Sequence, residues 1–141
     1  MNLSKISQEE MVGFLKTNEY FTRIPSRMQC FGCFNENNEL VGVVGLYKTA
    51  WHTTEIRGLC VSKFVRGNGI GKFIVKEAIK LVQTPLIAAT VAEQNTASLK
   101  VFSSNGFTVV TSFMHMETGH NVLLLIRNNP VVEVVNGIYN Y

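Results

Sequence analysis

The stretch "VRGNGIGKFIVKEAIK", residues 65–80, sets three glycines in five positions directly ahead of an apolar run with helical spacing. From Gly69 onward, Ile70, Ile74, Ala78, Ile79 and Val82 fall on one helical face, and Pro85 forces a stop. Upstream, "EIRGLCV" (55–61) reads as a strand. The unit is therefore strand, short turn, helix, with Arg66, Gly69 and Gly71 spelling RxxGxG. A dinucleotide fingerprint GxGxxG would need glycine at Lys72 or at Ile74, and neither register fits. The phosphate loop GxxxxGK[ST] would need glycine at Arg66 and a hydroxyl at Phe73, so it fails as well. What remains is an anion cradle. A helix N-terminus leaves about four amide donors free and carries partial positive charge, and glycines remove the Cβ that would hold an oxygen away. Arg66 and Lys72 would add charge-assisted contacts. The same glycines also suit a tight strand-to-helix connection, and the turn alone does not separate the two readings.

The surrounding chain reads as one domain over residues 1–141. Its 141 residues are 46% hydrophobic and 16% charged, which suits a single globular core that needs neither metal nor disulfide. No apolar run reaches the roughly 18 residues of a membrane span, and "MNLSKISQEE" lacks the apolar centre of a secretory signal. A cytoplasmic protein is expected. All ten acidic residues are glutamates, against the Asp-dependent magnesium chemistry of kinases. The three cysteines are expected to be reduced and structural. Cys30 and Cys33 form a CxxC in a strand-like run, with no finger-like spacing to Cys60, His52, His115 or His120. No metal is expected. Residues 57–80 hold six cations (Arg57, Lys63, Arg66, Lys72, Lys76, Lys80) against Glu77 alone. Such a cluster is either a solvated face or the dock of an anionic ligand.

Outward from the central unit, Ser7 and Glu10 make a capping box, with Ile6 and Met11 as its hydrophobic staple, opening a helix over about 8–18. "MQCFGCF" and "LVGVVGLY" pair as a hairpin across "NENNE". "LIAATVA" (86–92) has no alternation, as in a strand covered on both faces. Residues 96–104 form a short helix capped by Asn95 and ended by Gly106. "FTVVTSFM" and "NVLLLIR" close a last hairpin. The order is helix, three strands, helix, strand, helix, two strands: a mixed sheet in an α/β layer architecture.

Two segments in this order resemble the GNAT family of N-acetyltransferases over about residues 6–127. "GLCVSKFVRGNGIG" is similar to the family's motif A, and "NTASLKVFSSNGF" (95–107) to the following motif B. The resemblance implies a mostly antiparallel sheet whose fourth and fifth strands splay apart to admit acetyl-CoA. It implies that the pantetheine arm runs along the backbone of Leu59, Cys60 and Val61. The diphosphate would rest on the amides of Arg66, Gly67, Asn68, Gly69, Ile70 and Gly71, beside Lys72. Asn95, Ser98 and Phe102 would line the pantetheine side, although Asn95 and Ser98 also suit a plain N-cap and a plain helix position. The implied chemistry is acetyl transfer to an amine by direct attack. An amine with a pKa of about 10.4 needs roughly 4.6 kcal/mol to be presented neutral at pH 7. Glu55 is the candidate base, with His52 as second choice, and Glu55 also suits simple ion pairing on the sheet.

Three departures from the family pattern qualify these expectations. Where many members carry a proton-donating tyrosine in motif B, this chain has Phe102, which leaves open a family member that binds acyl-CoA without catalysis. The usual first strand reduces to Asn2–Lys5, short or absent. The extension 128–141, "NNPVVEVVNGIYNY", is expected to add a strand to this sheet or to that of a second copy, making a homodimer. The acceptor amine is expected to enter between "TNEYFTRIPSRM" and the loops around Trp51 and the last hairpin, where Arg23 and Arg27 suit either an acidic group on the acceptor or plain solvation in a loop. A nucleic-acid partner and a membrane are not expected.

Overall fold

The computed structural model describes residues 1–130; the predicted added strand of the C-terminal extension falls mainly on 131–141, outside the described residues. The chain runs β1 (Asn2–Ile6), α1 (Gln8–Thr17), β2 (Gln29–Phe34), β3 (Leu40–Ala50), β4 (Thr53–Val61), α2 (Ile70–Leu81), β5 (Leu86–Ala92), α3 (Thr96–Ser104), β6 (Thr108–Met114) and β7 (Asn121–Asn128). One seven-stranded sheet has the order β1-β2-β3-β4-β5-β7-β6. Only β4 and β5 pair in parallel; the other neighbours described are antiparallel.

The first strand corrects the sequence reading. All five residues of β1 pair with β2, from Asn2↔Phe34 to Ile6↔Cys30. Its mixed polar sequence hides it because only Ile6 is buried. The expected capping box is formed: Glu10 N–H donates to Ser7 Oγ at 3.0 Å, and Ser7 N–H to Glu10 Oε1 at 3.2 Å. Met11 and Leu15 then pack with Ile6, Met28, Cys30, Val43 and Cys60 on one face of the sheet. On the other face α2 buries Ile70, Ile74, Val75, Ala78 and Ile79 against Val44, Ile87 and Leu125. Val43 and Val44 thus face opposite layers, as alternation along a strand requires. Cys30 and Cys33 likewise divide between the layers, and all three cysteines are free and buried. No group of three or more potential metal ligands occurs among the described residues. No helix among them is long and apolar enough to cross a membrane.

The register of β4 positions the site. Only Thr53, Thr54 and Glu55 pair with β5, opposite Leu86, Ile87 and Ala88. Beyond Glu55 the two strands part, although both continue, to Val61 and Ala92. On its other side β4 carries a bulge. Arg57 pairs with Gly45 and Cys60 with Val43, so Gly58 and Leu59 together stand opposite Val44. Gly58 has φ +64°, and a Cβ there would lie 2.7 Å from Met11 Cε. Glycine is required by backbone and space alike. The splay predicted from the motifs is present, and the gap opens where the bulge bends β4.

The far side of the sheet is tied by Asn129. Its buried amide donates to Val82 O at 3.0 Å and Thr84 O at 3.1 Å, and its N–H to Pro85 O at 2.8 Å, pinning the end of β7 to the α2–β5 connection. Asn129→Ala leaves two buried carbonyls short of a donor and is expected to lower unfolding stability by about 2 kcal/mol. An unchanged urea midpoint would contradict this.

Candidate active site

Helix α2 starts at Ile70 behind an N-cap, Gly69, in the left-handed region with φ +74°. Gly67 is left-handed too, at φ +85°. No acceptor among the described residues takes a backbone N–H of residues 66–72; the first amide of this segment with a partner is Phe73, bonded to Gly69 O at 3.1 Å. The turn thus presents a run of free donors at the positive end of a helix. A Cβ on Gly71 would come within 3.3 Å of Val101 Cγ2 and 3.7 Å of Val61 Cγ2, so its bareness keeps space open between β4 and α3.

Two cavities lie along the parted strands. One, of about 540 Å³, is lined by Cys60, Val61, Arg66, Gly67, Gly69, Ile70, Gly71 and Lys72 from β4 and the turn, and by Val101 and Lys100 from α3. The other, of about 370 Å³, is lined by Glu55, Arg57, Leu59, Thr90 and Phe102. Tyr20, Asn95 and Ser98 line both, so the cavities meet at these three residues. The structure therefore brings the predicted site residues together along one groove, except Asn68 and the second-choice base His52. Asn68 lines neither cavity, and its side-chain amide turns back to Val65 O at 3.0 Å.

Local bonds fix several of these groups. Asn95 Oδ1 accepts from Ser98 N–H at 3.2 Å, the plain N-cap of α3. Phe102 is only 4% exposed and meets Phe107 edge-on, with ring centroids 5.1 Å apart, so it forms a wall and offers no proton. Val61 O accepts from Arg66 Nε at 3.2 Å and from the Cys60 thiol at 3.9 Å, which holds the Arg66 side chain against the end of β4. Glu55 stands at the fork, the last β4 residue paired with β5. Burial pushes its pKa above the ordinary 4.5, and Arg57, with Nε 3.8 Å from Glu55 Oε1, partly opposes the rise. His52 and Trp51 sit in the β3–β4 turn, before the first residue of β4, and line neither cavity. His52 bonds Thr53 Oγ1 instead.

A third cavity, of about 590 Å³, shares Phe21, Thr22 and Arg57 with the Glu55 cavity and reaches Arg23, His115, Glu117 and Thr118. The segment after α1 and the last hairpin therefore meet beside the Glu55 cavity, whereas the Trp51 loop, expected to share that entrance, does not line it. Arg27 does not; it lines a separate hollow with Gln29 and Lys48. The sequence did not single out Tyr20 or Thr90, and it marked Arg57 only as one cation of the 57–80 cluster. They come together through strand splay and loop packing, which leave no periodic signal.

The groove fits a long, anionic, partly apolar ligand: free amides and the cations Arg66 and Lys72 at one end, Val61 and Val101 along its middle. A variant of the spermidine N-acetyltransferase of Vibrio cholerae superposes with a TM-score of 0.78 at 13% identity, covering 92% of this chain and 95% of that one. A Bacillus subtilis acetyltransferase in complex with CoA gives 0.71 at 20% identity, covering 90% and 96%. A GNAT family acetyltransferase from Elizabethkingia anophelis with acetyl-CoA bound gives 0.69 at 17% identity, covering 90% and 97%. No curated protein matches the sequence. The model of the acetyltransferase (GNAT) family matches residues 3–107, from β1 to the end of the α3 turn. With that match over a sheet forked between β4 and β5, the chain belongs to the acetyltransferase (GNAT) family, the N-acetyltransferases that take their acyl group from acyl-CoA.

Proposed function

We propose that the chain transfers the acetyl group of acetyl-CoA to a primary amine by direct attack, with both substrates bound and Glu55 as the base. The free N–H groups of residues 66–72 beside the unzipped edge of β4 carry this reading. In it, the amides of residues 66–71 and the side chains of Arg66 and Lys72 bind the diphosphate. The backbone of Leu59, Cys60 and Val61 holds the pantetheine arm, strand fashion, where β5 has moved away. Asn95, Ser98 and the Phe102 wall keep that arm in the groove. A backbone amide near Cys60 or Val61 donates to the thioester oxygen as it gains charge. Glu55, at the fork, accepts the proton that the amine loses. Its raised pKa brings it nearer to the range useful for a base at neutral pH.

Arg23 and Arg57 line the outer cavity and favour an amine that also carries an acidic group. A second copy paired through the chain's edge is supported by β6, an edge strand with Val109, Val110, Phe113 and Met114 exposed. Thiol release from acetyl-CoA with glutamate, spermidine and a lysine peptide as acceptors tests the activity. Amine-dependent release is expected, fastest with glutamate. Release led by spermidine contradicts the acidic preference, and release with no amine dependence contradicts acetyl transfer itself.

A further inference from the structure

Helix α1 ends in a way that places one side chain at the meeting point of the two cavities. Glu19 takes the left-handed conformation with φ +58°. Tyr20 N–H then donates to Leu15 O at 2.9 Å and Glu19 N–H to Lys16 O at 3.1 Å, the Schellman closure of a helix. The preceding Asn18 is buried, and its Oδ1 accepts from Lys63 N–H at 2.9 Å, which ties this helix end to the connection between β4 and α2. Tyr20 is therefore held by its backbone against the same turn that forms the anion cradle. Its side chain lines both the cavity of the cradle and the cavity of Glu55.

A thioester carried along β4 has its sulfur on the cradle side and its carbonyl toward the amine, so the C–S bond lies where the two cavities join. The groups shared by both cavities are Tyr20, Asn95 and Ser98. Of these, only a phenol, with an ordinary pKa of about 10, is acidic enough to give up a proton to a leaving thiolate. Phe102 supplies no hydroxyl. Cys60 lines only the cradle cavity, and burial pushes its thiol pKa up.

We propose that the Tyr20 hydroxyl is the catalytic proton donor to the departing thiolate, a role the sequence leaves without a holder. The proposal rests on the acetyl-transfer reading. As the C–N bond forms, the surplus proton of the amine passes to Glu55. As the C–S bond breaks, its electron pair goes to sulfur and the Tyr20 proton follows. The phenolate regains a proton from bulk water. The phenol enters protonated at pH 7, because burial raises its pKa, Cys60 adds to the rise, and Arg57 only partly offsets it. Tyr20 is 37% exposed, so a ligand can reach it. The other titratable or charged groups facing these cavities are Glu55 on β4, Arg66 and Lys72 at the α2 turn, and Lys100 on α3.

Hydroxylamine is the acceptor for the test, because it is already neutral at pH 7 and needs little help from Glu55, while the C–S bond must still break. Tyr20→Phe is expected to slow thiol release roughly 10- to 100-fold, near the low end for acid catalysis because a thiolate already leaves tolerably. The acetyl-CoA-induced rise in melting temperature is expected to be unchanged. With 3-fluorotyrosine, a stronger acid, at position 20, the alkaline fall in rate is expected to move to lower pH, which a merely structural role would not produce. Release by Tyr20→Phe within 2-fold of the parent, or an alkaline limb that stays put, overturns the role of Tyr20 alone. No release by the parent protein, with the thermal shift intact, overturns acetyl transfer and the Tyr20 role together.

Discussion

Glu55→Gln is expected to lower turnover of an ordinary amine roughly 100-fold at pH 7 while leaving acetyl-CoA affinity unchanged. The amide keeps the shape of the side chain but cannot accept the proton that the amine must lose. Cofactor binding is spared because Glu55 lines the acceptor-side cavity and not the cradle. The pH profile gives the sign. Glu55 works only when ionised, and its pKa lies above 4.5. Turnover of the parent should therefore fall as pH drops through that raised value, and the variant should lack this acid limb. Stability should move the other way. Between 4.5 and the raised value the folded state binds more protons than the unfolded one, so folding stability falls as pH rises through this window and stays lower above it. Removing the charge should thus raise the melting temperature at pH 7. A variant with full turnover and an unchanged acid limb would remove Glu55 as the base.

Gly71→Val is expected to weaken acetyl-CoA binding at least 100-fold at a modest cost in stability. Gly71 has ordinary backbone angles, so the substitution brings no left-handed strain of the kind that Gly67 or Gly69 would suffer. A Cβ there already presses on Val101 Cγ2 at 3.3 Å, and the added methyls would fill the floor of the groove between Val61 and Val101. Crowding of this kind costs about 1–3 kcal/mol, which a protein of ordinary stability withstands. A calorimetric titration checks both parts. Parent-like affinity in a folded Gly71→Val protein would show that the groove does not hold the cofactor.

The central unit was legible because two strong signals coincide there: glycines that punctuate, and helical spacing that begins immediately after them. The bounds of α3 and β5 follow the same logic, with Asn95 and Pro85 as their marks. β1 was not legible, since four of its five residues face solvent or sit partly covered and its pairing is supplied by β2. The extra length of β3, to Ala50, runs through Lys48 and Thr49, whose polarity reads as turn. At the candidate site, the groove-lining residues of the RxxGxG turn are legible because the turn is local in sequence. His52 lies three residues from Glu55 in sequence, yet a strand carries residues three apart about 10 Å from each other and onto opposite faces. The place of Tyr20 beside both cavities is not legible, for the converse reason. Tyr20 is 35 residues from Glu55, and only the closure of α1 and the Asn18–Lys63 bond bring it to the groove.

The central claim is that main-chain amides at the start of α2 grip a diphosphate while β4 carries the arm attached to it. Thermal unfolding with acetyl-CoA, compared with S-acetylpantetheine, which has the arm and thioester but no diphosphate, tests it most directly. Acetyl-CoA at 100 times its dissociation constant contributes about 2.7 kcal/mol, or roughly 8 °C for a chain of this size, and S-acetylpantetheine at the same concentration is expected to shift the transition little. No shift with acetyl-CoA, or an equal shift with both, would contradict the account.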